Sequence, residues 1–340
     1  MANILRIGVI GAGRIGKIHS ENIARFIPNA ELAAIADINF TPEQLNWAKS
    51  VCSGLVTKNP DEIFNDKSID AVAICSSTDT HAGFVIKAAE AGKHIFCEKP
   101  VDVTIPKVKT ALEAVKKAGV KLQVGFNRRF DHNFARIREH TLAGNIGNVH
   151  LVKITSRDPA PPPASYVAVS GGIFLDMMIH DFDMARFQAG SEITEVFASG
   201  AVLIDPEIGK AGDVDTAIVS LKFANGAIGI IDNSRKAVYG YDQRVEVFGS
   251  KGAAAAENDV PNTVKLSNEN GVTSEKPLYF FLERYSAAFI AEMASFVDAV
   301  LNGKPAAVTG EDGLADMYAA LAAGISLKEN RPVKIAEVMA

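Results

Sequence analysis

The sequence is short of cysteine, basic clusters and long apolar runs, and each shortage removes a class of protein. Its three cysteines, Cys52, Cys75 and Cys97, form no Cys-x-x-Cys pair and lie in or beside apolar runs. Neither a disulfide framework nor a structural zinc site is expected, and a reducing cytoplasm fits. No apolar run approaches the ~20 residues of a membrane span, and the one before Gly11 is too short for the core of a secretory leader. A formal charge of −5 without a Lys/Arg stripe offers nothing to nucleic acid or another polyanion. What is present, 48% hydrophobic and 22% charged residues in a chain of 340, is the balance of a soluble globular protein with about two domains.

The stretch LRIGVIGAGRIGKIHSENIARF begins as a β-branched strand from Leu5 to Ile10, turns through Gly11, Ala12, Gly13, Arg14, Ile15 and Gly16, and continues as an amphipathic helix. A second apolar strand, ELAAIAD, ends in Asp37, 21 positions beyond Gly16. A lone Gly-x-Gly-x-x-Gly is weak evidence; with strand, helix, second strand and acidic residue it makes the dinucleotide fingerprint. Gly11 permits a tight turn, Gly13 lets backbone approach a pyrophosphate, and Gly16 lets helix pack closely on strand. The helix N-terminus then faces the anion. Asp37 is expected to accept hydrogen bonds from the adenosine ribose. Its charge, with no cation at Ile38, Asn39 or Phe40, favours NAD over NADP.

Alternation continues through a helix near 42–50, a capped segment near 59–64, and DAVAICSS, an apolar run suited to a strand buried on both faces of a parallel sheet. Ser76, Ser77 and Thr78 follow at that strand's carboxyl end, where doubly wound sheets bind ligands. His81 reads as starting or capping the next helix, with a cofactor contact as the sharper alternative. The following strand, KHIFCEKPVDVT, ends in Glu98-Lys99-Pro100. Pro100 restricts Lys99 to extended geometry, which aims its amine; the blander reading is a solvated surface charge.

Beyond a helix at 107–118 and the strand KLQVGF the pattern changes. HLVKITSRD, EVFASGAVLI, DTAIVSLKF, GAIGIIDNSRK and RVEVFGS read as strands, and Asn225-Gly226 is a hairpin signal. The fold class is therefore α/β. An N-terminal Rossmann domain with a doubly wound parallel sheet is expected over 1–123, and a C-terminal α+β domain with a large, mainly antiparallel open sheet over 124–340. The proline-rich RDPAPPPASY, residues 157–166, must be an irregular loop. After it, GGIFLDMMIHDFDMARF, residues 171–187, reads as one buried helix. On a helical wheel Asp176, His180 and Asp183 share one narrow arc, while Phe174, Met177, Met178 and Phe182 lie elsewhere on the circumference. Burying carboxylates without partners is costly, so this stripe requires a ligand, a partner or a function.

With Gly11 to Gly16 and Asp37, Glu98-Lys99-Pro100, and Asp176-x-x-x-His180 together, the chain resembles the GFO/IDH/MocA family of nicotinamide-dependent sugar and polyol oxidoreductases over nearly its whole length. Within it, TSRDPAPPP, GGIFLDMMIHDFDMARF and NSRKAVYGYDQR are most similar to the inositol 2-dehydrogenases, which oxidise myo-inositol to the 2-keto inosose with NAD. The resemblance implies that Lys99, Asp176 and His180 are the catalytic group. It also implies that NAD is bound by the glycine turn, Asp37, Ser76, Ser77, Thr78, His81, Glu98 and Lys99, without a metal. His180 suits the role of general base for a secondary hydroxyl, Lys99 that of hydrogen-bonding the reacting oxygen, and Asp176 that of holding His180 or a neighbouring hydroxyl.

By the same resemblance Arg129, Asp158, Asp183 and Tyr239 bind substrate hydroxyls, and the chain forms a homo-oligomer, a tetramer in family members that associate through open sheets. Each residue has a plainer reading: Arg129 in an interface salt bridge, Asp158 in a turn, Asp183 paired with Arg186, Tyr239 on the sheet surface. Three rival functions stand beside this one. A hydrolytic metal centre at Asp176, His180 and Asp183 would leave the dinucleotide fingerprint idle. A non-catalytic NAD-binding regulator is opposed by the intact Lys99, Asp176 and His180. The same chemistry on scyllo-inositol, D-chiro-inositol, glucose or another sugar differs only in a few hydroxyl contacts.

Overall fold

Short, mostly buried strands rich in Val, Ile and Ala alternate with helices in the first third of the chain, and that alternation produces a parallel sheet covered on both faces. The structure, a computed structural model, describes residues 4–339. Strands β1 (Leu5–Ile10), β2 (Ala30–Ala36), β3 (Leu55–Thr57), β4 (Ala71–Ile74), β5 (His94–Glu98) and β6 (Leu122–Gly125) stand in the order β3-β2-β1-β4-β5-β6, all parallel. Helices α1 (Arg14–Phe26), α2 (Pro42–Val51), α3 (Asp61–Asn65), α4 (Thr78–Glu90) and α5 (Ile105–Ala118) connect them. This is the doubly wound order, which reverses between β1 and β4, so the carboxyl ends of those strands mark the ligand crevice of this unit.

The second sheet is mainly antiparallel, as expected from its run of strands and the Asn225-Gly226 hairpin signal, and one parallel pairing makes it mixed. Its strands β7 (Val149–Arg157), β8 (Ile193–Ala201), β9 (Thr216–Phe223), β10 (Ile228–Ser234), β11 (Asp242–Gly249), β12 (Gly252–Ala256) and β15 (Val333–Lys334) run in the order β12-β11-β7-β10-β9-β8-β15. Only the β7–β10 pairing is parallel. The β9–β10 hairpin turns at Asn225-Gly226, with Gly226 at φ +89°. A separate exposed hairpin joins β13 (Lys265–Asn268) and β14 (Gly271–Ser274). The remaining helices of the chain are α6 (His132–Leu142), α7 (Ala164–Ser170), α8 (Ile179–Ala189), α9 (Pro206–Lys210), α10 (Phe281–Arg284), α11 (Ser286–Leu301), α12 (Gly310–Glu329) and α13 (Ile335–Met339). No helix among the described residues is long and apolar enough to cross a membrane.

The chain divides into two compact units, the first running to Asn127 and taking up Ala287–Ala315, the second Arg128–Ser286 and the chain from Asp316 onward. A contiguous division between 123 and 124 does not include this return, and its outer bounds, 1 and 340, lie outside the described residues. The return has a packing reason. Met293, Phe296 and Val297 of α11 join Leu5, Ile7, Val9 and Phe96 in the core of the first unit. A helix with apolar residues at such spacing can complete either core, and only packing selects one.

Candidate active site

In the first unit the glycine turn behaves as its residue types demand. Gly11 has φ +105°, and a Cβ there would lie 2.5 Å from the Cys75 carbonyl oxygen. A Cβ on Gly16 would lie 1.9 Å from the Gly11 carbonyl oxygen. Gly13, in contrast, has no atom within 4 Å of where its Cβ would be, and it brings no side-chain cap to α1. An open, uncapped helix start is the cradle a pyrophosphate needs, so the residues present fit a dinucleotide. Asp37, half-buried at the end of β2, accepts from the Ala12 amide at 2.7 Å and from the Asn39 amide at 2.8 Å. Each carboxylate oxygen keeps a second lone pair for a ribose hydroxyl.

Ser76, Ser77 and Thr78 lie where β4 passes into α4, with Ser77 as its N-cap. Ser76 Oγ is 2.6 Å from Thr80 Oγ1. His81 is 2% exposed, and its two ring nitrogens lie 2.9 Å from the Pro100 carbonyl oxygen and 3.0 Å from that of Ser76. It therefore ties the end of β4 to the residue after Lys99, a tether that was in neither sequence expectation, a helix start or cap and a cofactor contact. Glu98 ends β5, and Lys99 follows it half-buried.

The segment expected as one helix over 171–187 is broken. The proline loop stops at Pro163 and α7 begins at Ala164, so Ala164, Ser165 and Tyr166 are helical and not loop. Gly171 ends α7 at φ +88°, and Gly172 follows at φ +79°, where a Cβ would meet Asp213 Oδ1 at 2.9 Å. One wide turn covers Ile173–Met177, closed by Met178 N–H donating to the Ile173 carbonyl at 2.8 Å, before α8 begins. This i to i+5 turn contains one residue more than an α turn and changes which side chains share a face. From Ile173 to Arg186, Asp176 and His180 alone are not fully buried. Asp183, placed by the wheel in the same stripe, is 0% exposed.

Two arginines from the one-turn helix Asn127–Phe130 explain the other aspartates. Arg128 Nη1 donates to Asp181 Oδ1 at 2.5 Å, and Asn233 Nδ2 donates to Asp181 Oδ2 at 3.0 Å. Arg129 Nε lies 2.9 and 3.0 Å from the two oxygens of Asp183. Burial pushes the Asp181 carboxyl up while Arg128 pulls it back. Arg186, the plainer partner considered for Asp183, donates to Glu192 at 2.7 Å and to Asp316 at 3.0 Å, and the charge of Asp183 also helps to hold it protonated. Thus Arg129 and Asp183 are brought together with each other, on the buried side of α8.

Asp176 accepts from Tyr166 Oη at 2.9 Å and from Arg235 Nη1 at 3.4 Å; Arg235, 1% exposed, also reaches Asp213 at 3.5 Å. Asp158 belongs to the same charge cluster. Burial pushes its carboxyl up to about 6, against the pull of Arg128 and Arg235 and with a push from Asp176 and Asp181. Tyr239 is set apart from this group. Its hydroxyl donates to Asp242 at 2.6 Å and accepts from Arg157 at 3.1 Å, and it lines a depression of about 310 Å³ with Arg157, Asp232 and Lys236. Neither Asp176 nor His180 lines that depression. Sequence reasoning missed Arg235 and Tyr166, left Arg128 unseparated from Arg129, and noted Asp181 only as one of the charges of the segment. A signal existed for the arginines: adjacent Arg128-Arg129 and alternating Asp181-x-Asp183 are both clusters that a buried segment must neutralise.

Residues 5–126 match the model of an oxidoreductase family with an NAD-binding Rossmann fold, and residues 134–255 match the GFO/IDH/MocA C-terminal domain. The chain is 53% identical over 340 residues to a myo-inositol 2-dehydrogenase of Thermotoga maritima, covering 98% of this chain and all of that one. It is 47% identical over 333 residues to an inositol 2-dehydrogenase of Rhizobium meliloti, covering 98% and 99%. Among solved structures, a scyllo-inositol dehydrogenase from Lactobacillus casei with bound NAD(H) and scyllo-inositol superposes with a TM-score of 0.90 at 35% identity, covering 98% of this chain and 99% of that one.

Proposed function

Because the chain belongs to the GFO/IDH/MocA oxidoreductases and carries their NAD-binding fold, we propose that it oxidises a ring hydroxyl of myo-inositol to the 2-keto inosose. The observation that carries this reading is the isolation of Asp176 and His180 as the partly exposed polar residues of an otherwise buried run from Ile173 to Arg186. NAD, when bound, supplies the hydride acceptor. The side chains supply the proton chemistry. His180 takes the hydroxyl proton as general base, and Lys99 hydrogen-bonds the reacting oxygen and favours its alkoxide character. Asp176, oriented by Tyr166 and Arg235, holds His180 or a neighbouring hydroxyl. Asp158 adds a substrate hydrogen bond. Arg129, Asp183 and Tyr239 complete the proposed substrate set, the first two as one ion pair.

A neutral polyol suits this site, since it needs many hydrogen bonds and little net charge. The second reading, scyllo-inositol as preferred substrate, is favoured by the likeness to the Lactobacillus casei enzyme. Initial rates of NADH appearance with myo-inositol, scyllo-inositol, D-chiro-inositol and glucose, each repeated with NADP, separate the two. Myo-inositol is expected to be fastest with NAD; activity confined to another polyol would replace the substrate and keep the chemistry. His180→Ala is expected to lower kcat by about 10²–10⁴-fold while NAD still binds, and loss of NAD binding alone would contradict the assignment.

We further place the protein in the cytoplasm as a homotetramer. Buried thiols at Cys52, Cys75 and Cys97 support a reducing compartment. On the second sheet Phe248, Leu151 and Ile228 stand in one cross-strand row, with Phe248 and Ile228 about half exposed, and such a row supports association through that face. Light scattering in solution checks the mass.

A further inference from the structure

Behind Lys99, in the first unit, three ionisable side chains meet in a buried space. His19 comes from α1, Glu98 from the end of β5 and Glu292 from α11, and their ligating atoms all lie within 4.8 Å of one another. His19 Nε2 is 2.8 Å from Glu98 Oε1 and 3.8 Å from Glu292 Oε1. His19 and Glu292 are both 0% exposed. Among the described residues, neither Glu292 oxygen has a hydrogen-bond partner, nor does His19 Nδ1. The walls are apolar: the His19 ring packs edge-on to Phe96 at 4.9 Å and to Phe289 at 5.9 Å.

Glu292 is held there by the fold. Gln123 Nε2 of β6 donates to its backbone carbonyl at 2.8 Å, which pins α11 to the sheet. The position opposite Glu98 on β6 is Gly125, where a Cβ would come within 3.1 Å of Glu98 Oε2, so the carboxylate occupies room that a side chain would otherwise take. Two carboxylates this close in an apolar pocket cannot both stay ionised beside a neutral imidazole. The other titratable groups acting on the cluster are the Cys75 and Cys97 thiols, which burial and the neighbouring Glu98 push up, so they remain neutral. Burial, followed by the charge of Glu98, raises the Glu292 carboxyl well above the carboxylate range.

We propose that His19, Glu98 and Glu292 form a buried proton-sharing cluster that positions Lys99, with Glu292 as its protonated member and Glu98 as its charged member, held by a hydrogen bond from His19. These are positioning residues. They act through the β5 terminus, which carries Lys99 as the next residue after Glu98, and the proposal rests on the role given to Lys99 above. Its chemical half can be tested without that role.

Infrared spectra of the full-length protein at neutral pH are expected to show a protonated-carboxyl C=O band that Glu292→Gln removes. The amide is close in shape to the protonated acid, so kcat of Glu292→Gln should stay within about threefold of the parent. His19→Phe, which leaves Glu98 without its donor, is expected to lower kcat about 10- to 100-fold and move the pH profile of kcat, with the NAD dissociation constant unchanged. His19→Gln, which restores a donor, should recover most of that loss. If His19→Phe does not fold, the infrared comparison still decides. Absence of the band overturns the proposal. So does a His19→Phe enzyme with parental kcat and pH profile, or one equivalent of divalent metal that a chelator removes together with activity. A band present in a protein inactive on every polyol would sink the role of Lys99 and keep the shared proton.

Discussion

The two units handle buried carboxylates in opposite ways. In the second, Asp181 and Asp183 each receive an arginine, and their charges are retained as ion pairs around the helix that carries His180. In the first, Glu98 and Glu292 face each other across one imidazole with no arginine in contact among the described residues. An arginine neutralises a carboxylate at every accessible pH and fixes geometry through several donors. A proton neutralises it only below the pKa and leaves the geometry to the surrounding packing. The first solution suits a scaffold that must hold the helix of His180 in one place, and the second leaves a group whose state can follow its neighbours.

The comparison breaks most severely if a charge in the second unit loses its partner. Arg128→Met leaves the Asp181 carboxyl at 0% exposure with only Asn233 and neighbouring hydroxyls to offset its burial, and should cost about 3–5 kcal/mol in denaturant unfolding. The double variant Arg128→Met, Asp181→Leu should recover part of that loss, whereas equal destabilisation of the double variant would show that the pair's geometry, and not its charge, matters.

Next in size is a contrast within the glycine turn. Gly16→Ala places a Cβ 1.9 Å from a carbonyl oxygen and should cost about 3 kcal/mol or more, whereas Gly13→Ala meets nothing within 4 Å and should leave stability within about 1 kcal/mol. Only Gly13→Ala should then weaken NAD binding in a folded protein, by about tenfold or more, as calorimetric titration would read.

A smaller effect is read by pH within the second unit. Burial raises the Asp158 carboxyl from its ordinary 3.8 to about 6. Between those values the folded protein keeps a proton that the unfolded chain has released. The stability tied to that proton is complete below about pH 4 and declines as pH rises through 6, by roughly 2–3 kcal/mol in all. Asp158→Asn should flatten this part of the stability profile, and an unchanged slope between pH 4 and 7 would contradict the assignment.

The smallest concerns Asp37. Its replacement by alanine removes the acceptor of the Ala12 amide and should cost about 1 kcal/mol. The same change should relax discrimination against NADP, read as the ratio of kcat/KM for the two cofactors. An unchanged ratio would move the source of cofactor preference elsewhere.

Most of the first unit was legible because its constraints are local. Strand, turn and helix at residues 5–26 follow from β-branched runs, three glycines and helical periodicity, each of which acts over a few residues. The segment at 157–190 was only half legible. Its apolar content announced burial, but Gly171 and Gly172 were not read as a break, and a wheel at 100° per residue cannot represent an i to i+5 turn. Asp183 therefore joined the stripe on paper, while in the fold it belongs with Arg129.

The sequence by itself determined the Rossmann unit, the cofactor class, the mainly antiparallel sheet that follows and the residue types available for chemistry, because periodicity, turn propensity and a glycine's missing Cβ are properties of short stretches. Only the tertiary structure decided which charge meets which. Arg128 finds Asp181 across 53 positions, Arg235 finds Asp176 across 59, and Glu292 comes back to His19 from the far end of the chain. Those pairings depend on which apolar faces bury against one another, and burial is settled by the whole core at once.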